Sequence, residues 1–151
     1  MKRFALSTAL LFACVPGAAW AAGASCTVSA APVAFGTFNP FGSVVTATGT
    51  ISVTCSGGSP SSPYTIALST GGSGSFTTRH MSDGFSDNLN YNLYTSAAHT
   101  SIWGDGTSGT VTVGGTNGHT TNNFTAYGQL PTPQGVTPNS YTDTITVTVT
   151  Y

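Results

Sequence analysis

Val45-Thr46-Ala47-Thr48-Gly49-Thr50-Ile51-Ser52-Val53-Thr54-Cys55 alternates without a slip: every odd position is apolar or small and every even one carries a hydroxyl. Side chains of a β-strand leave opposite faces in turn, so this stretch is a strand with one face buried and one wet. The C-terminus repeats the scheme, with Tyr141, Ile145, Val147, Val149 and Tyr151 against Thr142, Thr144, Thr146, Thr148 and Thr150. Weaker strands are expected over 26–35, 64–68, 76–81, 89–95, 110–113 and 124–130. Turn chemistry separates them, at Asn39-Pro40, Ser56-Gly57-Gly58, 71–74, Gly104-Asp105-Gly106, Gly114-Gly115 and 131–138. Short strands at this spacing predict an all-β fold, a sandwich in preference to a barrel. Neither a repeat nor an interdomain linker interrupts the pattern.

Composition agrees with that class. Of 151 residues only 5% are charged, while 39% are hydrophobic and 19 are Gly. Three basic residues in all exclude a basic nucleic-acid-binding face and a polybasic membrane patch. The first residues read as a leader: Lys2 and Arg3, an apolar run from Phe4 to Val15, a break at Pro16-Gly17, and small residues at Ala19 and Ala21. The run is too short to span a membrane. Residues 1–21 are therefore expected to be a signal peptide and 22–151 the domain, with Ala22-Gly23-Ala24 an alternative cleavage site. The exported chain then has no Lys and no Glu, and Arg79 faces Asp83, Asp87, Asp105 and Asp143. It also keeps just two cysteines. Cys26 and Cys55 are expected to form a disulfide tying the first two strands, in preference to a metal pair or a catalytic thiol, since neither has His or acidic neighbours. Closing a loop of about 30 residues stabilises by about 3–4 kcal/mol in the chain-entropy picture.

Candidate chemistry is thin. His80, His99 and His119 show no ligand-like spacing and read as loop or strand-end histidines. No Gly-x-Ser-x-Gly elbow is present. Asp83, Asp87 and Asp105 sit among turn residues, and no Glu remains to pair with them for glycoside hydrolysis. A hydrolase ranks third among the readings, and neither a cofactor nor a metal is expected. The Thr arrays also match ice-binding surfaces, but Thr is the ordinary exposed strand residue and sheet twist spoils a flat array.

Sheet edges are the informative oddity. Soluble β proteins guard them with Lys or other charges, and here an apolar, uncharged strand runs to Tyr151. Such a strand either lies between neighbours or offers an edge to which another strand can add. Several ordered motifs sharpen this: Tyr91-Asn92-Leu93-Tyr94-Thr95, Ile102-Trp103-Gly104-Asp105-Gly106-Thr107, Tyr127-Gly128-Gln129-Leu130-Pro131 with Gln134, and Ser140-Tyr141-Thr142-Asp143-Thr144. Across nearly the whole exported chain the sequence resembles spore coat protein U domains, a group that includes the Csu-type pilins of archaic chaperone–usher pili.

The resemblance implies an incomplete immunoglobulin-like β-sandwich lacking its last strand. A periplasmic chaperone would lend that strand, and a neighbouring pilin subunit would replace it at an outer-membrane usher. The acceptor groove would be lined by Ile145, Val147, Val149 and Tyr151. Four or five aliphatic side chains at ~1.5–3 kcal/mol each give a gross gain of about 6–15 kcal/mol before ordering and association costs. Tyr91, Trp103, Asp105, Tyr141 and Asp143 would be structural, Trp103 a core anchor and Asp105 a tight turn. One departure stands out: only Ala22–Ser25 precede Cys26, at most ~14 Å of chain. The expectation is a subunit that accepts a strand without donating one, capping a fibre or serving as a coat-like surface protein. The alternative is a surface- or carbohydrate-binding adhesin on the same fold, with Trp103 and the tyrosines as stacking faces.

Overall fold

The structure, a computed structural model, describes residues 23–151, so the expected leader lies outside the described residues. Nine strands follow in chain order: β1 (Ser25–Ala31), β2 (Val45–Ser56), β3 (Pro63–Leu68), β4 (His80–Ser82), β5 (Asn88–Asn90), β6 (Asn92–Tyr94), β7 (Val113–Thr116), β8 (Thr121–Leu130) and β9 (Val147–Thr150). One sheet has the order β1-β2-β8-β6 and the other β7-β3-β9, with β4-β5 a short ribbon; all pairings are antiparallel. The alternation in β2 acts as read. Ile51, Val53 and Cys55 are buried, and they meet Tyr64, Ile66 and Leu68 of β3 in a single core with Trp103 and Leu130. The fold is an all-β sandwich.

Several strand limits differ from the sequence reading, each for a local reason. β1 stops at Ala31 because Pro32 cannot donate to the ladder. The stretch expected to be a strand over 76–81 is extended only from His80, after a 3₁₀ turn at Gly71–Ser73. There the Ser73 hydroxyl shares its one proton between Thr70 O (2.8 Å) and Ser75 O (2.9 Å), an alternative to ladder pairing. The expected strand over 89–95 divides at Tyr91 into β5, paired with β4, and β6, paired with β8. Gly114-Gly115, read as a turn, lies inside β7: a Cβ on Gly115 would sit 2.5 Å from the Tyr64 ring, so the glycine serves close approach. The terminal strand is regular only over Val147–Thr150, with Thr142 bridging to Ser82 ahead of it.

The sandwich is unequal along one side. Cys26, Val28 and Ala30 of β1 lie directly opposite Cys55, Val53 and Ile51 of β2 and so share their core-facing side. Val53 is fully buried, yet Val28 is 41% exposed. The sheet that should cover it ends at β9, which pairs with β3 alone among the described residues.

Candidate functional site

The free flank of β9 can be read from its bonding on the other side. Ser82 and Thr142 exchange both backbone bonds (2.9 and 3.0 Å), and Ser69 N–H donates to Thr146 O (3.0 Å). Even-numbered residues of this segment thus turn their backbone groups toward β4 and β3. By alternation, Asp143, Ile145, Val147 and Val149 turn theirs to the unpaired flank. The side chains of these four point inward and are half-buried. The edge so formed is about 23 Å long, room for one more strand.

A cavity of about 340 Å³ lies along this edge, between β9 and the far end of β1. Its walls are Ala30, Ala31, Val33 and Phe35 on one side and Asp143, Ile145 and Val147 on the other, over a floor of Ile51, Leu68 and Leu93. A second, of about 560 Å³, continues past Val33, Phe35 and Met81 toward Pro40 and the 136–142 segment. The chain after β1 is seated by two glycines. A Cβ on Gly49 would lie 2.8 Å from Val33, and one on Gly128 would lie 2.6 Å from Val33 and 2.7 Å from Phe35. Phe35 also meets the Tyr91 ring edge-on at 5.8 Å. Among the described residues, 33–38 make no backbone–backbone hydrogen bond.

Ile145 and Val147 line the groove, and Val149 continues the same inward face of β9; the Cys26–Cys55 disulfide, whose Cα atoms are 4.1 Å apart, ties β1 to β2. Tyr151 is different: it lies beyond β9, 58% exposed and outside the cavity walls. Tyr91 and Asp143 come together at the groove, the phenol donating to Asp143 Oδ2 (2.7 Å), and Asp143 Oδ1 accepts from Gly72 N–H (2.9 Å) and Thr144 N–H (2.8 Å). Burial, helped by that bond and the Asp143 charge, pushes the Tyr91 phenol well above its usual range. Tyr141 takes no part in this pair and donates to Thr137 O (2.7 Å). Asp105 is exposed, accepting from the amide (2.9 Å) and hydroxyl (2.6 Å) of Thr107, which hold its carboxyl below the ordinary range.

Trp103 corrects one expectation. It is wholly buried, its indole N–H donating to Ile66 O (3.0 Å), and presents no stacking face to a ligand. Arg79 has a structural role that its place in the sequence does not announce. Its guanidinium is completely buried, bonding Ser69 O from Nε (3.1 Å) and a terminal N (2.7 Å), Asn92 Oδ1 (3.0 Å) and Trp103 O (2.9 Å), with Phe76 under it at 5.3 Å. Ser69 in turn binds Thr146, so this node pins the β9 edge from behind. A lone base in a polar stretch gives no sign of burial in sequence. Among the described residues no group of three or more His, Cys, Asp or Glu is placed to hold a metal, and no helix is long and apolar enough to cross a membrane.

The fold and groove define a class: an all-β sandwich with an open edge along β9 and a groove beside it. The Spore Coat Protein U domain matches residues 14–148, and the chain belongs to that family. Among solved structures it is similar to a chain of the CsuC–CsuE chaperone–tip adhesion subunit pre-assembly complex from archaic chaperone–usher Csu pili of Acinetobacter baumannii. That likeness has 23% identity and a TM-score of 0.60, and covers 85% of this chain. It spans 40% of the other chain's length. No curated protein matches.

Proposed function

We propose that the protein is an exported structural subunit of a surface fibre or coat, with residues 1–21 a signal peptide and 22–151 the working domain. Its groove takes a strand first from a periplasmic chaperone and then, at an outer-membrane usher, from a neighbouring pilin subunit. One observation carries the reading: Val28, on the core-facing side of β1, is 41% exposed opposite a β9 whose second flank is unpaired. A strand laid there bonds to Asp143, Ile145, Val147 and Val149 on one flank, and covers Val28 and Ala30. The unbonded backbone of 33–38 supports a second ladder at the groove's far end. Family membership and the likeness to a chain of a chaperone–subunit complex support the same route. The role is mechanical and non-enzymatic, exerted in the periplasm and then at the cell surface.

The test is stability of the purified chain with and without a saturating donor strand, as a synthetic alternating apolar peptide or a donor-bearing pilin. At ligand a hundredfold above Kd the gain is about 2.7 kcal/mol, a rise in melting temperature of roughly 5–15 °C. An unchanged melting temperature with every donor, together with failure to co-purify with a chaperone, overturns the reading.

A surface-binding adhesin on the same fold is the second reading, and the observation favouring it is at two turns. Phe41 and Phe85 are 92% and 87% exposed. Pro40, beside Phe41, borders the larger cavity with Asn139, which bonds Asp83 of the Phe85 turn (3.3 Å). Replacing both by Ser leaves donor binding intact and removes retention on apolar surfaces; unchanged retention dismisses the adhesin.

A further inference from the structure

The groove is not apolar along its whole length. At the end away from the disulfide its wall includes Asp143, half-buried between the β9 edge and Tyr91. A carboxylate offers about four acceptor sites. Gly72 N–H and Thr144 N–H occupy Oδ1, and the Tyr91 hydroxyl occupies one site of Oδ2. One site remains on Oδ2, an oxygen that Gly71 packs against without donating to it. Nor does a direct ion pair hold the charge, although Arg79 lies near enough for the two charges to attract. Arg79 is the one Lys or Arg among the described residues, and its bonds go to Ser69, Asn92 and Trp103. While the groove is empty, water can meet the remaining site. A strand that covers the groove excludes that water and leaves an ionised acceptor short of a partner, unless the strand itself brings a donor.

Resting on the strand-acceptor reading, we propose that Asp143 sets the register of the incoming strand. The strand carries a hydrogen-bond donor (Ser, Thr, Asn or Lys) at the inward position facing Asp143, and apolar residues at those facing Ile145, Val147 and Val149. An acidic residue at that position is excluded by like charge, and a Leu there leaves the carboxylate dry. A uniformly apolar groove accepts an alternating strand equally well when it slides by two residues; one polar mark removes that freedom.

The test is a peptide series of about nine residues, long enough to span the edge. The inward positions are Val or Ile and the outward ones Thr, and Ser, Lys, Leu or Asp is moved through each inward position in turn. Affinities for the purified chain are read by fluorescence anisotropy. At one placement only, Ser and Lys bind about tenfold or more tighter than Leu, and Asp is weakest. In the Asp143→Asn variant most of the Asp penalty disappears. Leu binding as tightly as Ser and Lys at every placement overturns the register role and leaves the acceptor reading standing. Binding by no peptide at all overturns both. Should Asp143→Asn fail to fold, the series on the unaltered protein decides alone.

Discussion

Arg79 shows how much of this sandwich rests on single polar side chains. Four hydrogen bonds from one buried guanidinium reach the end of β3, β6 and the Trp103 backbone, and burial lowers its pKa. Lys offers three donors from one point and cannot reproduce the planar fork. Arg79→Lys therefore leaves at least one of the carbonyls at Ser69 or Trp103 unmet, at a cost of about 2–4 kcal/mol in urea unfolding. Tyr91 gives a second prediction, of pH dependence. Its phenol is neutral in the fold and its folded pKa is raised, so its contribution is intact below the unfolded value near 10. It is lost as pH rises beyond that, because the unfolded chain releases the proton more readily. The urea midpoint of the native chain should fall between about pH 10 and 11.5, and fall less in Tyr91→Phe. Equal slopes for the two proteins refute this.

At the level of elements, glycine decides where chain segments approach. Gly128 is in β8, facing the core, with Val33 2.6 Å from where its Cβ would be. Gly128→Ala forces Val33 and Phe35 away from the sheet and costs about 1–3 kcal/mol. Because those two side chains wall the groove, it also weakens donor binding; an unchanged urea midpoint dismisses the close-approach account. The same residues show what sequence could and could not reveal. Strict alternation in β2 and in 145–149 was legible, since period two has one structural meaning. Gly114-Gly115 was misread because a glycine needed for the Tyr64 ring looks identical to one needed for a turn. The strand expected over 89–95 hid its division, because the break depends on Tyr91 and Asn92 reaching partners distant in sequence, Asp143 and Arg79. That Ile145 and Val147 share an inward face followed from pattern, whereas a groove along that face was implied by the family resemblance alone. The Tyr91–Asp143 contact joins residues 52 apart and is a product of topology alone.

For the whole molecule, the question is how a sandwich with an uncovered side remains folded while leaving room for the proposed strand. Part of the answer is a division of labour between the two walls. Val53 lies in the sealed part of the core, fully buried, and Val28 directly opposite it in register lies in the unsealed part. Truncating Val53 to Ala removes buried methyl groups and should cost about 2 kcal/mol whether or not a donor is present. Val28→Lys behaves otherwise. In the empty protein the ammonium can reach water past a side chain already 41% exposed, so stability should change by less than about 1 kcal/mol. Once a donor strand closes over β1, the same ammonium is enclosed, or must bend out and prise the strand away, and the melting-temperature gain from donor should largely vanish. Thermal melts of both variants with and without the donor peptide separate a groove residue from an ordinary core residue. If Val28→Lys destabilises the empty chain as much as Val53→Ala does, or keeps the full gain from donor, then this side of the sandwich is not where the strand enters.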